Sequence, residues 1–530
     1  MRQPLNKLAG YTNANTKERR NYAEVKESAT HISTALVKKY GMEEGHTVLL
    51  FSQNTIWYPI TMLAAIRAGG KICGASPAYG AEEMVFALRV AQAKFLFTVP
   101  SSIAVAAAAA KEAGIPQSNI FLLEGTMGGY STVQDLITIG KGYGESAQTQ
   151  PASIPRHLTN GEVCGFLCFT SGTSGLPKAV MLSHQNLIAQ ALQLRMINPP
   201  TRGNVMAVLP MFHITGLVRF CITPISDNAE VVLLPAFSMK AMLDTIVEYK
   251  IVEVKGVPPI MIRMVRDPLV DQYDLKHVER FASGSAPCSD EIIEQLQQKF
   301  PGTGFLQGYG MTESTACITS HPPDKYDFKY AGTGGTIVSN TIVKIISEEG
   351  QELGVNESGE ILAKGPQIAM GYLGNPEASN EAFDDEGFLH TGDIGRIDEE
   401  GFIHILDRRK ELIKVKGIGV APAELEDLLL GHVDVEDCAV VGVKDDYSGE
   451  RPKAFVVLKP GLAANELVGQ RLMAYVKERK VRYKALCEVE FLDIIPKSGT
   501  GKILRRILRD REKTGDHGFI VHEKRDQARL

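Results

Sequence analysis

Cysteine pairs at metal-ligand spacing, long apolar runs and an excess of charge of either sign are all missing from this 530-residue chain. Its eight cysteines (Cys73, Cys164, Cys168, Cys221, Cys288, Cys317, Cys438, Cys487) are scattered and form no Cys-x-x-Cys. That excludes a small disulfide-stapled module and points to reduced, mostly buried thiols in a cytosol-like compartment. Cys164 and Cys168 fall four apart in VCGFLCF, where a strand would point both to one face; core packing, not a metal, is the expectation. No window approaches the ~18 apolar residues of a membrane-spanning helix, and the first twenty residues hold no apolar core of signal-peptide length. A soluble protein not exported by that route is expected. Lys and Arg number 57 against 62 Asp and Glu, a net charge of −5. Nothing global draws such a chain to nucleic acid or to an anionic membrane. Hydrophobic residues at 44%, charged residues at 22% and aromatics at only 7% exclude long disordered or fibrous architecture.

What the chain has in excess is glycine, 50 residues, above the roughly 7% of average usage. Glycine turns let backbone amides approach a phosphate, which hints at a nucleotide. The length, at roughly 150 residues per unit, suggests three or four folding units. From residue 45, short apolar runs (47–51, 71–75, 95–99, 119–123) alternate with helical stretches (56–68, 81–92, 102–113). This is the pattern of βαβ units in a mainly parallel sheet, whose ligands sit where strands end. A second series follows the loose polar segment 140–160, with strands expected at 163–169, 205–210, 230–235 and 252–257. Near residue 330 the texture changes to short strands with Gly turns (340–346, 359–365), a small β-rich subdomain. The expected class is α/β: a large N-terminal domain of stacked βαβ sheets plus the β-rich subdomain (1–406), a connecting segment (407–414) and a small α+β C-terminal domain (415–530).

The strongest chemical signal is FTSGTSGLPK (169–178), directly after an expected buried strand. Hydroxyls, two glycines and a terminal lysine supply donors, close backbone approach and positive charge for a polyphosphate. It is not a Walker A loop, because Leu176 and Pro177 separate Gly175 from Lys178. GTGK at 499–502 imitates one as well, but Pro496 stands where the first Gly belongs and Ile503 replaces Ser/Thr. Four further segments accompany it. QGYGMTE (307–313) offers a strand-end turn, an aromatic ring, a hydroxyl and a carboxylate; TGD (391–393) sets a carboxylate beside a Gly, suited to ribose hydroxyls. DRRKELIKVKG (407–417) is a charged, glycine-terminated junction, and PKSGTGK (496–502) presents a lysine on a glycine-bearing loop before a helix.

In this order and at these separations the segments resemble the adenylate-forming superfamily of acyl-CoA synthetases, peptide adenylation domains and beetle luciferases, over residues 20–512. PMFHITGL (210–217) and VKGIGVAPAELE (415–426) are most similar to 4-coumarate:CoA ligases and related acyl-CoA ligases. The resemblance implies that Thr170, Ser171, Gly172, Thr173, Ser174, Gly175 and Lys178 wrap the triphosphate of ATP. It implies that Glu313 holds Mg²⁺ with Thr170 or Thr312, and that Gly284, Ser285, Ala286 and Pro287 with Tyr309 bracket adenine. Gln307, Gly308, Gly310 and Met311 belong to the same nucleotide-binding turn, and Asp393 and Arg408 would bind the ribose. Lys502 would be the catalytic lysine of adenylation and Lys410 the hinge about which a mobile small domain turns. Lys414 and the loop of Lys416 and Gly417 would face the site when coenzyme A attacks. His213, Thr215, Ser285 and Gly308 would line the acid pocket, with His213 contacting or gating the carboxylate rather than acting as a general base.

The implied activity is an AMP-forming acid–thiol ligase with ATP, Mg²⁺, coenzyme A and a small carboxylic acid as partners. Two alternatives stay open: an adenylating enzyme that passes its acyl group to a carrier protein or oxidises it as luciferases do, and a catalytically degenerate nucleotide-binding scaffold. Departures from the family pattern are Ala179 and Gly419, where Gly and Gln are usual; at Ala179 only a slight stiffening of the phosphate loop is expected. Thr215 replaces an aromatic residue of 4-coumarate ligases, which implies a pocket not specialised for hydroxycinnamates and open to aliphatic or bulkier acids. The chain closes on Ala528, Arg529 and Leu530, similar to the peroxisomal Ser-Lys-Leu address. In a eukaryotic source this implies a peroxisomal import receptor as partner; otherwise a cytoplasmic location.

Overall fold

The computed structural model describes residues 8–170, 177–197, 203–416, 418–445, 447–498, 501–515 and 517–523. Its centre is an eight-stranded sheet in the order Gly371–Tyr372, Lys178–Ser183, Cys164–Thr170, Lys71–Ala75, Thr47–Phe51, Ala93–Thr98, Ile120–Leu122, Ser131–Thr132. The last six are mutually parallel, and the first two are antiparallel additions. Every residue of Thr47–Phe51 is buried, as a strand covered by helices on both faces requires. Val48 and Leu50 point into one core cluster, Leu49 and Phe51 into another. The helices that cover the sheet start where side chains satisfy free amides: Asn21 and Glu24 form a capping box at Tyr22–Lys38.

A second sheet joins Glu253–Gly256, Arg280–Ser283 and Gly304–Tyr309 in parallel, then Thr319–Ser320 and Thr336–Ile337 antiparallel. A third pairs Val205–Ala207, Val231–Leu233 and Gly10–Asn13 in parallel, with Arg19–Asn21 antiparallel at its edge. The expected β-rich subdomain is the antiparallel sheet Ile342–Ile346, Gly359–Lys364, Leu389–Ile397, Ile403–Arg408. The next strand, Ile413–Val415, belongs to a different sheet, with Ile418–Val420, Val435–Asp445, Gly449–Leu458, Glu488–Phe491 and Phe519–His522. That sheet has its own core, from Ile413 to Val521. The chain therefore leaves one body and enters the other within residues 409–412.

Two local expectations change. Cys164 and Cys168 do not share a face: the strand register slips between Cys164 and Phe166, so Cys164 packs against one core cluster and Cys168 lies in the other. Such an irregularity reverses the two-residue alternation on one side of it. Ala179 is not a loop residue; it is buried within Lys178–Ser183 opposite Phe169, and its carbonyl accepts from the Leu373 amide.

Candidate active site

Parallel strands of two mixed sheets end on one cleft of about 1310 Å³, whose opposite wall includes residues of the C-terminal body. Thr170 ends one strand and Lys178 begins its antiparallel neighbour, paired across the hairpin, and both line the cleft. Ser171, Gly172, Thr173, Ser174 and Gly175 lie outside the described residues. The Lys178 ammonium stands 4.9 Å from the centre of the Tyr372 ring. The Tyr372 hydroxyl in turn donates to Glu313 Oε1 at 2.8 Å. Glu313 is buried on the short turn Thr312–Ser314, and no basic group among the described residues pairs with it. A buried carboxylate with one neutral donor, facing a cleft that Thr170 and Thr312 also line, is the donor chemistry of a hard divalent cation such as Mg²⁺.

The loop after Arg280–Ser283 brings Gly284 and Ser285 to the cleft, while Ala286 and Pro287 do not line it. Ser285 adopts φ 70°, a conformation that costs a non-glycine residue energy and concentrates at functional sites. A side chain at Gly284 would meet only the Gly308 carbonyl, 3.9 Å away. Gly308, Gly310, Met311 and Thr312 all line the cleft. At Gly310 any Cβ would sit 1.8 Å from the Ala316 carbonyl, so only glycine fits. Gln307 has a different task. Its side-chain oxygen accepts from the Cys288 amide (2.9 Å) and its nitrogen donates to the Ala331 carbonyl (2.6 Å), pinning the loop that carries Gly284 and Ser285. Tyr309 is buried in the core of the antiparallel subdomain, and its hydroxyl donates to Asp393 Oδ2 at 2.9 Å.

Asp393 Oδ1 pairs with Arg408 Nε at 3.2 Å. Burial raises the Asp393 carboxyl above its ordinary range, with Arg408, the Tyr309 hydroxyl and Lys502 opposing. Lys502 enters from the C-terminal body. Its loop is closed by Ser498 N–H to the Lys502 carbonyl (2.8 Å). A Cβ at Gly501 (φ 80°) would meet Pro259 of the large body at 3.1 Å, so the backbone at Gly501 is closely seated. Burial first, then the Arg408 charge, pushes the Lys502 ammonium down to about 8, while Glu411 and Asp393 hold it up. The structure thus gathers Lys178, Glu313, Arg408 and Lys502 around one cavity.

His213 caps the turn Ile214–Gly216, its Nδ1 accepting from the Thr215 amide at 3.4 Å. Burial pushes its imidazole down to about 4, so at neutral pH it is uncharged and Nε2 carries the proton. His213, Thr215, Ser285 and Gly308 all line the cleft. Lys410 and Lys414 line it too, in the same arrangement that admits Lys502. Lys416 does not: it has φ 51° and its ammonium lies 4.0 Å from the Tyr447 ring centre. Gly417 falls outside the described residues, as do Ala528, Arg529 and Leu530. Gly419 packs beside Leu412 and is not part of the cleft wall. The sequence reading missed Tyr372, a lone aromatic at the end of a glycine-rich turn. It also missed Arg219, Glu253 and Lys255, which line the cleft as well. A lone Arg inside the apolar run LVRF, and Glu253 alternating with Lys255 in an expected buried strand, were the available signals.

A family model described as AMP-binding enzyme matches residues 2–373, and one described as AMP-binding enzyme C-terminal domain matches 424–502. A 4-coumarate-CoA ligase 1 of Narcissus pseudonarcissus is 35% identical over 516 residues, 95% of this chain and 90% of the relative. The peroxisomal OPC-8:0-CoA ligase 1 of Arabidopsis thaliana is 33% identical over 504 residues, 94% and 89% of the two chains. Among solved structures, ATP-bound MatB from Rhodopseudomonas palustris superposes with a TM-score of 0.84 at 27% identity, covering 95% of each chain. No described helix is long and apolar enough to cross a membrane.

Proposed function

This chain belongs to the AMP-binding enzyme family, and from that premise we propose that it is an ATP-dependent acyl-CoA ligase, converting a carboxylic acid to its acyl-adenylate and then to the coenzyme A thioester. The observation that carries the reading is the convergence of Lys178, Glu313, Arg408 and Lys502, from both bodies, on one cleft, in a chain collinear with CoA ligases over 95% of its length.

In the first half-reaction a carboxylate oxygen of the acid attacks the α-phosphorus of ATP and pyrophosphate leaves. Negative charge builds on the phosphoryl oxygens, and fixed cations and donors lower that barrier, each by about 3–4 kcal/mol where it is well aimed. Lys502 and Lys178 supply positive charge, and the Thr170 hydroxyl supplies a donor. Asp393, oriented by Arg408 and the Tyr309 hydroxyl, accepts from the ribose hydroxyls. Glu313 with Thr170 or Thr312 would hold Mg²⁺, which neutralises phosphate charge when bound. His213, which lines the cleft, would offer the acid a neutral Nε2–H donor. In the second half-reaction the coenzyme A thiolate attacks the acyl carbon and AMP leaves. Lys410 serves as the hinge between residues 1–406 and 415–530, withdrawing Lys502 and bringing the loop of Lys416 and Gly417 to the cleft that Lys414 already lines. Labelled pyrophosphate should exchange into ATP only when a suitable carboxylic acid is present, and an acyl-CoA should form once coenzyme A is added. Exchange without acid dependence would sink this reading.

A further inference from the structure

The acid-binding end of the cleft carries an imbalance of charge that adenylation does not use. Arg219 sits on the π-helical turn Leu217–Ile222, six residues after His213. Lys255 and Glu253 lie on one face of the strand Glu253–Gly256, and all three side chains line the cleft. Arg280, on the neighbouring strand, holds Glu253 with Nε at 2.8 Å and Nη2 at 2.6 Å. Lys255 pairs with the same carboxylate. Three cations therefore surround one buried carboxylate; of the other acids nearby, Asp227, which lines a small cavity with Arg219, Glu253 and Lys255, is taken by Arg195 Nε at 3.7 Å, and Glu279 is surface-exposed and reaches only Arg280 Nη1 at 3.3 Å. Arg219 has no carboxylate partner among the described residues: its single hydrogen bond runs to the Cys317 thiol, 3.9 Å away.

Burying cations without matching anions is costly, and the cost is recovered when a ligand brings the missing charge. A guanidinium suits a carboxylate in particular, because its planar fork can donate twice. Burial and Arg219 together push the Lys255 ammonium down, with Glu253 opposing; a further anion beside it would act in the same sense as Glu253. The same cleft is lined by the apolar or small residues Phe212, Phe220, Ala316 and Gly308, and a Cβ at Gly308 would lie 3.7 Å from the Cys317 sulfur that Arg219 meets.

We propose that the substrate is a carboxylic acid bearing a second, distal carboxylate, which Arg219 and Lys255 hold while the first carboxylate reacts. This rests on the ligase reading above. The test compares matched pairs, butanedioate with butanoate, hexanedioate with hexanoate and octanedioate with octanoate, by acyl-CoA formation in the presence of ATP and coenzyme A. In the wild type the best diacid should exceed its monoacid in kcat/KM by about 10²-fold. Arg219→Leu should invert that order, the diacid losing about 10²-fold while the monoacid gains. Lys255→Met should move the ratio the same way, and Arg219→Lys should restore part of the diacid preference. A wild type that prefers the monoacid in every pair overturns the proposal, as does an Arg219→Leu enzyme that loses both acids by one factor. Absence of turnover with every pair overturns it too; acid-dependent pyrophosphate exchange with other carboxylic acids would then leave the ligase reading standing, and absence of that exchange would remove both.

Discussion

The two ends of the cleft are built on opposite principles. At the nucleotide end the charged groups are pre-arranged against one another: Asp393 with Arg408 and Tyr309, Glu313 with Tyr372, Lys178 over the Tyr372 ring. At the acid end three cations crowd one carboxylate, and Arg219 is left with a thiol. The first arrangement holds groups in place for a reaction whose charges always develop at the same atoms. The second is incomplete until a particular ligand arrives. General chemistry and specificity are thus separated in space, joined by His213 and Gly308.

The largest break in this comparison should come from Lys502→Ala. It should cut acid-dependent pyrophosphate exchange by about 10²–10³-fold, yet leave thioester formation from supplied acyl-adenylate little changed. Equal losses in both half-reactions would mean that one arrangement serves both. Glu313→Gln should lower exchange by about 10²-fold and raise the Mg²⁺ concentration needed for half-maximal rate; an unchanged Mg²⁺ requirement would remove Glu313 from the metal. Asp393→Asn weakens one charge-assisted contact, so the KM for ATP should rise about tenfold with kcat nearly kept.

A pH profile gives a smaller but distinct signal. Lys502 is held down to about 8, so its charged, useful form prevails below that pH and is lost above it. In the exchange reaction kcat/KM for ATP should therefore fall about tenfold per unit above pH 8. Lys502→Arg should abolish that limb, since a guanidinium keeps its proton. His213, pushed down to about 4, should contribute no limb between pH 6 and 9. The mildest expected effect is Tyr372→Phe, which removes one hydrogen bond from Glu313, worth about 1 kcal/mol or roughly fivefold in rate.

The nucleotide end was far more legible in the sequence than the acid end, and the reason is chain geometry. Its residues come in short contiguous segments at the ends of apolar strands, so glycines, hydroxyls and single charges stand out locally, as in FTSGTSGLPK and QGYGMTE. The acid end is assembled from single residues of Leu217–Ile222, Glu253–Gly256 and Arg280–Ser283, whose meeting is a tertiary fact. The same limit applies to the fold. Runs such as TVLLF and KICGA became the strands Thr47–Phe51 and Lys71–Ala75, because a buried parallel strand is a local pattern. Gly10–Asn13 carries no such pattern; it is held as a strand between its local neighbour Arg19–Asn21 and Val231–Leu233, which pairs with it from over two hundred residues away. Phe519–His522 likewise exists through Glu488–Phe491. The slip at Cys164 and the buried, strand-bound setting of Ala179 were invisible for that reason.

The central claim, that one cleft completes both halves of an acyl-CoA ligation, is tested most directly by a single-turnover chase. Enzyme loaded with labelled ATP and a turned-over carboxylic acid, freed of excess nucleotide, is mixed with coenzyme A. Acyl-CoA and AMP appearing together in equal amounts, faster than AMP appears without coenzyme A, is the predicted result. Acyl-adenylate that persists or merely hydrolyses, with no thioester formed, would contradict it.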